Sequence, residues 1–169
     1  MNARRIVQRG VTIIELMIVV TIGAILASIA VPSLRDTLYS TRQSSTFGLI
    51  VSDLNQARGE AIKRNSRMLM CVRNPAGDNC GTVTNWTAGW LVCREGNVAN
   101  QCAATTSDDP NPVIVRPPIS DNLTLTGSAA LVRFSPNSSA GAATLALGGT
   151  WSGAITRTAT VAVTGNISK

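Results

Sequence analysis

Histidine is absent from this chain of 169 residues, and aromatic and charged residues are scarce. Aromatic residues make up 4% of the sequence and charged residues 14%. Without histidine there is no Ser-His-Asp triad, no histidine general base and no histidine-ligated metal. We therefore expect a protein that is not an enzyme and that carries no cofactor and no metal.

Cysteine is also rare, and its spacing is unusual. The four cysteines are Cys71, Cys80, Cys93 and Cys102, and none forms the C-x2-C pair typical of zinc or redox sites. Eight residues separate Cys71 from Cys80, and eight separate Cys93 from Cys102. Three connectivities are open; the repeated spacing favours the two local pairs, and Cys71 with Cys93 is the alternative. Disulfides would require an oxidising compartment such as the periplasm or cell surface.

One long segment is almost free of charge. Residues 11–34 are apolar except for Glu15, and 24 residues are enough to cross a bilayer as a helix. A carboxylate in such a segment is costly and is usually kept for a partner charge. If the chain were cut after Gly10, the amino group of Val11 would lie one helical turn from Glu15. A neighbouring copy could offer the same partner.

The short segment before Gly10 is basic, with arginines at Arg4, Arg5 and Arg9. An ordinary secretory leader is cut after its apolar region at small residues. The apolar segment offers that alternative at Ala24, Ala27, Ser28 and Ala30. Here, however, the glycine stands before the apolar run. This order resembles the class III signal of type IV pilins and pseudopilins, through Gly10, Thr12, Ile14, Glu15, Leu16 and Pro32. Val11 departs from the family, which usually has Phe there.

The resemblance implies how the amino-terminal part is processed and used. Residues 1–10 would be a leader that a prepilin peptidase removes after Gly10, with N-methylation of Val11. Residues 11–34 would be a transmembrane and assembly helix, in which Glu15 and Pro32 serve assembly. The chain would begin in the inner membrane, with its globular domain in the periplasm, and end in a pilus at the cell surface. Its partners would be other minor and major pilins, joined through a helix bundle.

Residues 35–64 have the pattern of an amphipathic continuation of this helix. Its apolar stripe consists of Leu34, Leu38, Ile50, Leu54, Ala57, Ala61 and Ile62, with a gap at residues 42–45. Pro32 should kink or loosen the helix, because it cannot donate a backbone hydrogen bond to Ser28. Gly48 is a second expected weak point.

Residues 65–169 are predicted to form an antiparallel β domain with two small sheets. Strand-length segments occur at 66–73, 88–94, 113–116, 122–126, 130–135, 143–147 and 156–163, separated by Gly, Pro, Asn and Ser clusters. Trp86, Trp90 and Trp151 are expected in the core. The fold class is therefore α+β, with a long amino-terminal helix packed on a small antiparallel β domain.

Two further segments resemble the GspH/FimT/FimU class of minor pilins. One is the helix end at residues 57–65, and the other is the W-x-x-G-W strand at 86–92. Residues 157–169 also follow this class, with one departure. Members resembling FimT that bind DNA carry a G-R-x-R pattern, whereas this chain has Asn166 and Ser168, and only Lys169 is basic.

The resemblance favours a structural minor pilin that helps prime pilus assembly at or near the tip. A DNA receptor for natural transformation is the first alternative, because arginines that converge in space would bind phosphates. Its candidate residues are Arg94, Arg116, Arg133, Arg157 and Lys169. Residues 35–169 carry twelve basic and eight acidic residues, a net charge of only +4. A minor pseudopilin of type II secretion is the second alternative.

Overall fold

The computed structural model describes residues 10–169. It contains one long helix, α1 (Ile13–Lys63), followed by eight short strands. The chain divides into two compact units, of which the first ends at Leu38 and the second is Tyr39–Lys169. A long amino-terminal helix and an antiparallel β domain of two sheets confirm the predicted α+β class.

Helix α1 has recognisable signals at both ends. Thr12 caps the start, where its Oγ1 accepts a hydrogen bond from the Glu15 amide at 3.3 Å. This is the T-x-x-E order of a capping box. At the other end Asn65 is left-handed (φ 46°), and the Ser66 amide donates to the Ala61 carbonyl at 3.2 Å. These are the features of a Schellman-type end.

The expected weak points do not interrupt the helix. α1 continues through Pro32 and through the serine-rich stretch around Gly48. In that stretch the hydroxyls of Ser44 and Ser45 donate back to carbonyls one turn earlier, at 2.9 and 3.0 Å. Among the described residues, no helix combines the length and apolarity needed to cross a membrane. The span at residues 11–34 therefore stays a prediction.

The stripe that α1 buries in the second unit differs in part from the prediction. It consists of Gln43, Phe47, Ile50, Leu54, Ala57 and Ala61, spaced alternately by four and three residues. Gln43 fills the predicted gap with a polar side chain. Ile62 was predicted in the stripe but is 50% exposed, because it lies about 100° around the helix from buried Ala61. Leu34 and Leu38 are also exposed, and both belong to the first unit.

The β domain contains two four-stranded antiparallel sheets. The first has the order β3-β2-β1-β5, formed by Ile114–Val115, Trp90–Arg94, Met68–Val72 and Leu131–Phe134. The second has the order β4-β6-β7-β8, formed by Leu123–Gly127, Ala143–Gly149, Arg157–Val161 and Ile167–Ser168. All seven predicted strands are present. β4 and β6 extend one and two residues beyond their predicted carboxyl ends, the other five are shorter than predicted, and Trp86–Ala88 is a 3-10 turn. Strand β8 was not predicted, because two residues are too few to show alternation.

Alternation along β1 separates two apolar clusters. Met68, Met70 and Val72 join the main core with α1 and the second sheet. Leu69 and Cys71 point to the opposite face and form a smaller cluster with residues of β2. Both faces of this strand are consequently buried.

The W-x-x-G-W motif has a physical explanation. Trp86 and Trp90 are both buried in the main core, as predicted. Between them Gly89 has φ +95°, and an added Cβ would lie 2.4 Å from the Arg116 carbonyl oxygen. Only glycine fits this close approach without strain. Trp151 is half-buried and contacts Tyr39, with ring centroids 5.7 Å apart.

Candidate functional sites: the amino-terminal helix, the disulfide loops and the arginines

The amino end of the described chain is open to its surroundings. Gly10 and Val11 are exposed and lie just before α1. Glu15 is exposed in the first turn, where a negative charge interacts favourably with the helix dipole. Within residues 10–169 no ion pair includes Glu15. The predicted leader arginines Arg4, Arg5 and Arg9 lie outside the described residues.

The first unit exposes large apolar side chains on all sides of the helix. The exposed set is Val11, Ile13, Ile14, Leu16, Met17, Ile18, Val19, Val20, Ile22, Ile25, Leu26, Val31, Leu34 and Leu38. Soluble monomers rarely expose a contiguous apolar surface of this kind. The segment therefore has the character of a binding surface for lipid or for other apolar helices.

The cysteines form two local disulfides, Cys71–Cys80 and Cys93–Cys102. This is the pairing that the repeated spacing favoured, and Cys71 is not joined to Cys93. Each disulfide links a fully buried cysteine on a strand, β1 or β2, to a half-buried cysteine in the loop that follows it.

The two disulfide-closed loops share the same backbone bonds at the same offsets. The Gly81 amide donates to the Val72 carbonyl at 2.7 Å, and the Ala103 amide donates to the Arg94 carbonyl at 2.8 Å. In each pair the donor follows the second cysteine and the acceptor follows the first. The sequences share only the cysteine spacing, so this duplication is a structural one.

The loops also touch one another. Asn79 Oδ1 accepts hydrogen bonds from its neighbour Cys80 at 2.8 Å and from the Cys102 amide at 2.9 Å. All four sulfur atoms lie within 4.8 Å of each other. The fold therefore brings together into one cluster four cysteines that the sequence spreads over 32 positions.

Arg116, a candidate DNA contact, pairs instead with a buried carboxylate on α1. Its Nε and Nη2 donate to the two oxygens of Asp53 at 2.8 and 2.9 Å. Trp90 Nε1 donates to the same carboxylate at 2.9 Å. The hydrogen bond to Asp53 raises the pKa of Arg116. This side chain therefore ties the segment that follows β3 to α1.

Arg133 is held in the same manner by Glu95, whose side chain is buried. Its Nη2 donates to Oε1 of Glu95 at 2.7 Å, and the Arg67 guanidinium lies 3.1 Å from the other oxygen. Burial opposes ionisation of Glu95, but the hydrogen bonds from Arg133 and the Asn100 amide outweigh it and lower the pKa.

Arg94 forms a third pair, with Asp109. Its Nε donates to Oδ2 at 2.7 Å, and Arg64 from the end of α1 reaches the other oxygen. The hydrogen bond from Arg94 lowers the pKa of Asp109. Arg94, Arg116 and Arg133 thus each engage a different carboxylate, and they do not form one basic patch.

Arg157 and Lys169 are arranged differently. They line one open groove of about 440 Å³ beside α1, together with Ser44, Phe47 and Gly48. Nε of Arg157 is buried and has no hydrogen-bond partner among the described residues. Of the five predicted DNA contacts, these two are the ones that the structure brings together.

Sequence reasoning missed the buried polar residues of α1. Gln43 is 1% exposed, and its Nε2 donates to the carbonyls of Leu147 and Ile155 at 3.1 and 2.6 Å. Asp53 is fully buried. Their positions in the sequence could have indicated burial, because both lie at helical spacing from the apolar residues of the stripe. Polar residues are, however, normally predicted to face solvent.

A long amino-terminal helix with an exposed apolar half, joined to a two-sheet antiparallel domain, defines the pilin class of envelope proteins. The chain belongs to the GspH family, because the family model described as "Type II transport protein GspH" matches residues 48–166. The "Prokaryotic N-terminal methylation motif" matches residues 5–31. The predicted membership among minor pilins and pseudopilins of the GspH/FimU class is confirmed, and it implies a location in the cell envelope or in a pilus.

Individual relatives agree with this assignment. Two proteins described as "Fimbrial protein" from Dichelobacter nodosus are each 34% identical over 104 residues. That alignment covers 62% of this chain and 62% of each relative. Two crystal structures of the minor pilin FimU from Pseudomonas aeruginosa share the fold, with TM-scores of 0.54 and 0.56 at 16% identity. They cover 74% and 77% of this chain, and 90% and 89% of the FimU chains.

Proposed function

We propose that this chain is a structural minor pilin that joins other pilins through the first half of α1 and helps prime pilus assembly at or near the tip. One observation carries the proposal. The exposed apolar surface of residues 11–38 includes a single carboxylate before Arg35, Glu15, one helical turn after the predicted cleavage site. No ion pair within the described residues neutralises it.

Before assembly, residues 11–34 hold the subunit in the inner membrane with the β domain in the periplasm. The leader arginines keep the amino end cytoplasmic, as the positive-inside rule expects. A prepilin peptidase cuts after Gly10 and methylates the amino group of Val11. An assembly ATPase, which the family implies, then drives extraction of the subunit from the bilayer.

In the pilus, the apolar helix exchanges lipid for a bundle of similar helices, so its surface stays away from water. Glu15 pairs there with the positive amino terminus of a neighbour. A carboxylate without a partner is expensive in such a bundle, so this pairing favours the correct register over slipped ones. Pro32, which lacks a backbone donor, lets the helix adjust its path within the bundle.

The test compares two carboxylates on the same helix. Glu15→Ala should insert into the inner membrane at the wild-type level but be depleted from sheared pili. Asp36→Ala, which removes another exposed carboxylate of α1, is the matched control and should enter pili normally. Immunoblots of membrane and pilus fractions measure both. Equal recovery of the Glu15 variant and the control in pili would refute the pairing mechanism.

A type II secretion pseudopilin is the second candidate function, favoured by the description of the matching family model. Both candidates use the same helix and the same processing, so a deletion strain separates them. Loss of surface pili with intact protein secretion supports the minor pilin. Loss of secretion with intact pili supports the pseudopilin.

A further inference from the structure

We propose that, in their thiol form, Cys71, Cys80, Cys93 and Cys102 form one tetrahedral site for a soft divalent cation such as Zn²⁺. In the structure all four sulfurs lie within 4.8 Å of one another. Zinc holds four thiolates at about 2.3 Å, which separates neighbouring sulfurs by about 3.8 Å. The two sulfurs of each disulfide would have to separate to this distance. Sulfurs of different disulfides would have to move closer by about 1 Å at most.

Contacts besides the sulfur–sulfur bonds position the four cysteines. Cys71 and Cys93 are buried on the paired strands β1 and β2. Cys80 and Cys102 are held by the backbone bonds that close each loop and by the shared acceptor, Asn79 Oδ1. None of the four cysteines belongs to the main core cluster. Reduction therefore leaves the main core in place with four thiols close together.

The chemistry of the donor set selects the metal. Four thiolates are soft ligands, which favour zinc over calcium or magnesium. Four protein ligands leave no open position, as in structural zinc sites. The sequence lacks the C-x2-C pairs that usually indicate a structural zinc site. The fold supplies an equivalent arrangement, in which each of two matching loops contributes one strand cysteine and one loop cysteine.

Metal binding and disulfide formation exclude each other. A dithiol or phosphine reductant supplies two electrons to each disulfide, and two protons yield two thiols. The four thiols lose four protons when they bind Zn²⁺, and the metal does not change its oxidation state. A disulfide oxidant that removes four electrons from the thiolates restores both disulfides and releases Zn²⁺. The cluster thus holds the two loops together through a metal when reduced and through disulfides when oxidised.

The experiment uses the full chain in detergent micelles, reduced with a phosphine in the absence of oxygen and then desalted. Co²⁺ is the probe, because tetrahedral thiolate coordination gives it intense visible bands. We expect these bands to saturate at a single Co²⁺ per chain and to be abolished by one equivalent of Zn²⁺. The unreduced chain is the matched control and should give no bands. Native mass spectrometry counts the bound metal independently.

Variants locate the ligands. Cys80→Ser with Cys102→Ser should lose the bands, since only the two strand thiols remain. Each single variant should keep a weaker site with shifted bands, because three thiolates still converge. Far-UV circular dichroism reports whether the strands persist in each reduced sample.

Three results would overturn the proposal. Two cobalt ions per chain would assign one metal to each loop separately. Bands that persist in the double variant would place the metal elsewhere. Failure of the reduced, folded chain to bind Co²⁺, or loss of its strand signal both with and without Zn²⁺, would show that the thiols are not held together.

Discussion

The two compact units of this chain differ in the exposure of their apolar side chains and in whether their carboxylates have ion-pair partners. In residues 10–38 the large apolar side chains whose burial is described are exposed, and Glu15 has no ion pair within the described chain. In residues 39–169 the apolar side chains form the core. There the carboxylates of Asp53 and Glu95 are buried, but each is bound by arginine.

The first unit thus has the features of a surface that binds another molecule. In the second unit, apolar side chains and buried charges find their partners within the same chain. An exposed apolar helix gains stability only when lipid or other helices cover it. A buried ion pair instead fixes the relation between two elements of the same chain, since breaking it leaves an uncompensated charge. The predictions below change one region while leaving the other intact.

The largest effect is expected at Gly10, which precedes the exposed region. Replacing it with leucine should leave an uncleaved precursor, because the proposed cleavage requires glycine at this position. Wild-type protein should begin at Val11, with an N-methylated amino group, by amino-terminal sequencing and mass spectrometry. Gly23→Ala is the control; a Cβ there meets nothing within 4 Å, so processing should be normal. A mature start near residues 27–31 would instead support ordinary secretion.

Substitutions of Asp53 test the contribution of a buried ion pair to the stability of the second unit. Asp53→Ala should lower the unfolding free energy of residues 35–169 by about 3 kcal/mol, at the lower end for a broken buried pair. The lower end applies because the Arg116 side chain is 35% exposed and can regain water. Asp53→Asn should cost less, since it keeps an acceptor for Trp90. Asp36→Ala should change stability by no more than about 0.5 kcal/mol. Urea unfolding followed by tryptophan fluorescence measures the stability of all three variants. Equal stabilities would show that the buried carboxylate of Asp53 does not stabilise the domain more than the exposed one of Asp36.

The two regions were not equally predictable from sequence. The methylation motif of the first unit could be recognised because Gly10 to Leu16 are consecutive residues, whereas the roles of Gly10 and Glu15 stay predictions. Most strands were also found, since apolar runs between turn residues are local signals. The partners of Arg94, Arg116 and Arg133 were missed, because each carboxylate lies 15 to 63 positions away in the sequence. Only the tertiary fold brings these groups together, since Asp53 lies on α1 and Asp109 lies in a loop.

The cysteine cluster shows the same limit. The repeated spacing favoured the local pairs on the basis of sequence alone. The proximity of the two disulfides depends on the pairing of β1 with β2, in which Leu69 is opposite Cys93 and Cys71 is opposite Leu91. That register cannot be read from either loop by itself.

Acid should weaken the second region through Glu95. Its pKa is lowered in the folded state from the usual 4.5, so its ionised form stabilises the fold above that pH. The contribution is lost as pH falls through the folded pKa, and Asp109 acts in the same direction. Arg133→Met should cost about 1–3 kcal/mol at pH 7, because a buried carboxylate loses its main partner. At pH 4 the difference from wild type should shrink.

Urea unfolding at both pH values, with Arg42→Met as an exposed control, measures this effect. The control should match wild type at each pH. A cost for Arg133→Met that is the same at pH 7 and pH 4 would mean that the guanidinium acts through packing rather than through the charge of Glu95.

The smallest effect is expected for DNA. Three of the five candidate cations are bound by carboxylates, and only Arg157 and Lys169 share an open groove. Residues 35–169 should therefore bind duplex DNA weakly and lose it at physiological salt, because few phosphates can be neutralised.

Asn166→Arg with Ser168→Arg adds two exposed charges beside Lys169 and should steepen the salt dependence by about 0.9 per phosphate contacted. Thr82→Arg with Val83→Arg adds the same charge at exposed positions that do not line the open groove and should steepen the salt dependence less. Fluorescence anisotropy at two salt concentrations compares the three proteins. Low-micromolar binding by the unmodified domain at the higher salt would show that its arginines are not fully occupied by their carboxylates, and the DNA-receptor function would then rank first.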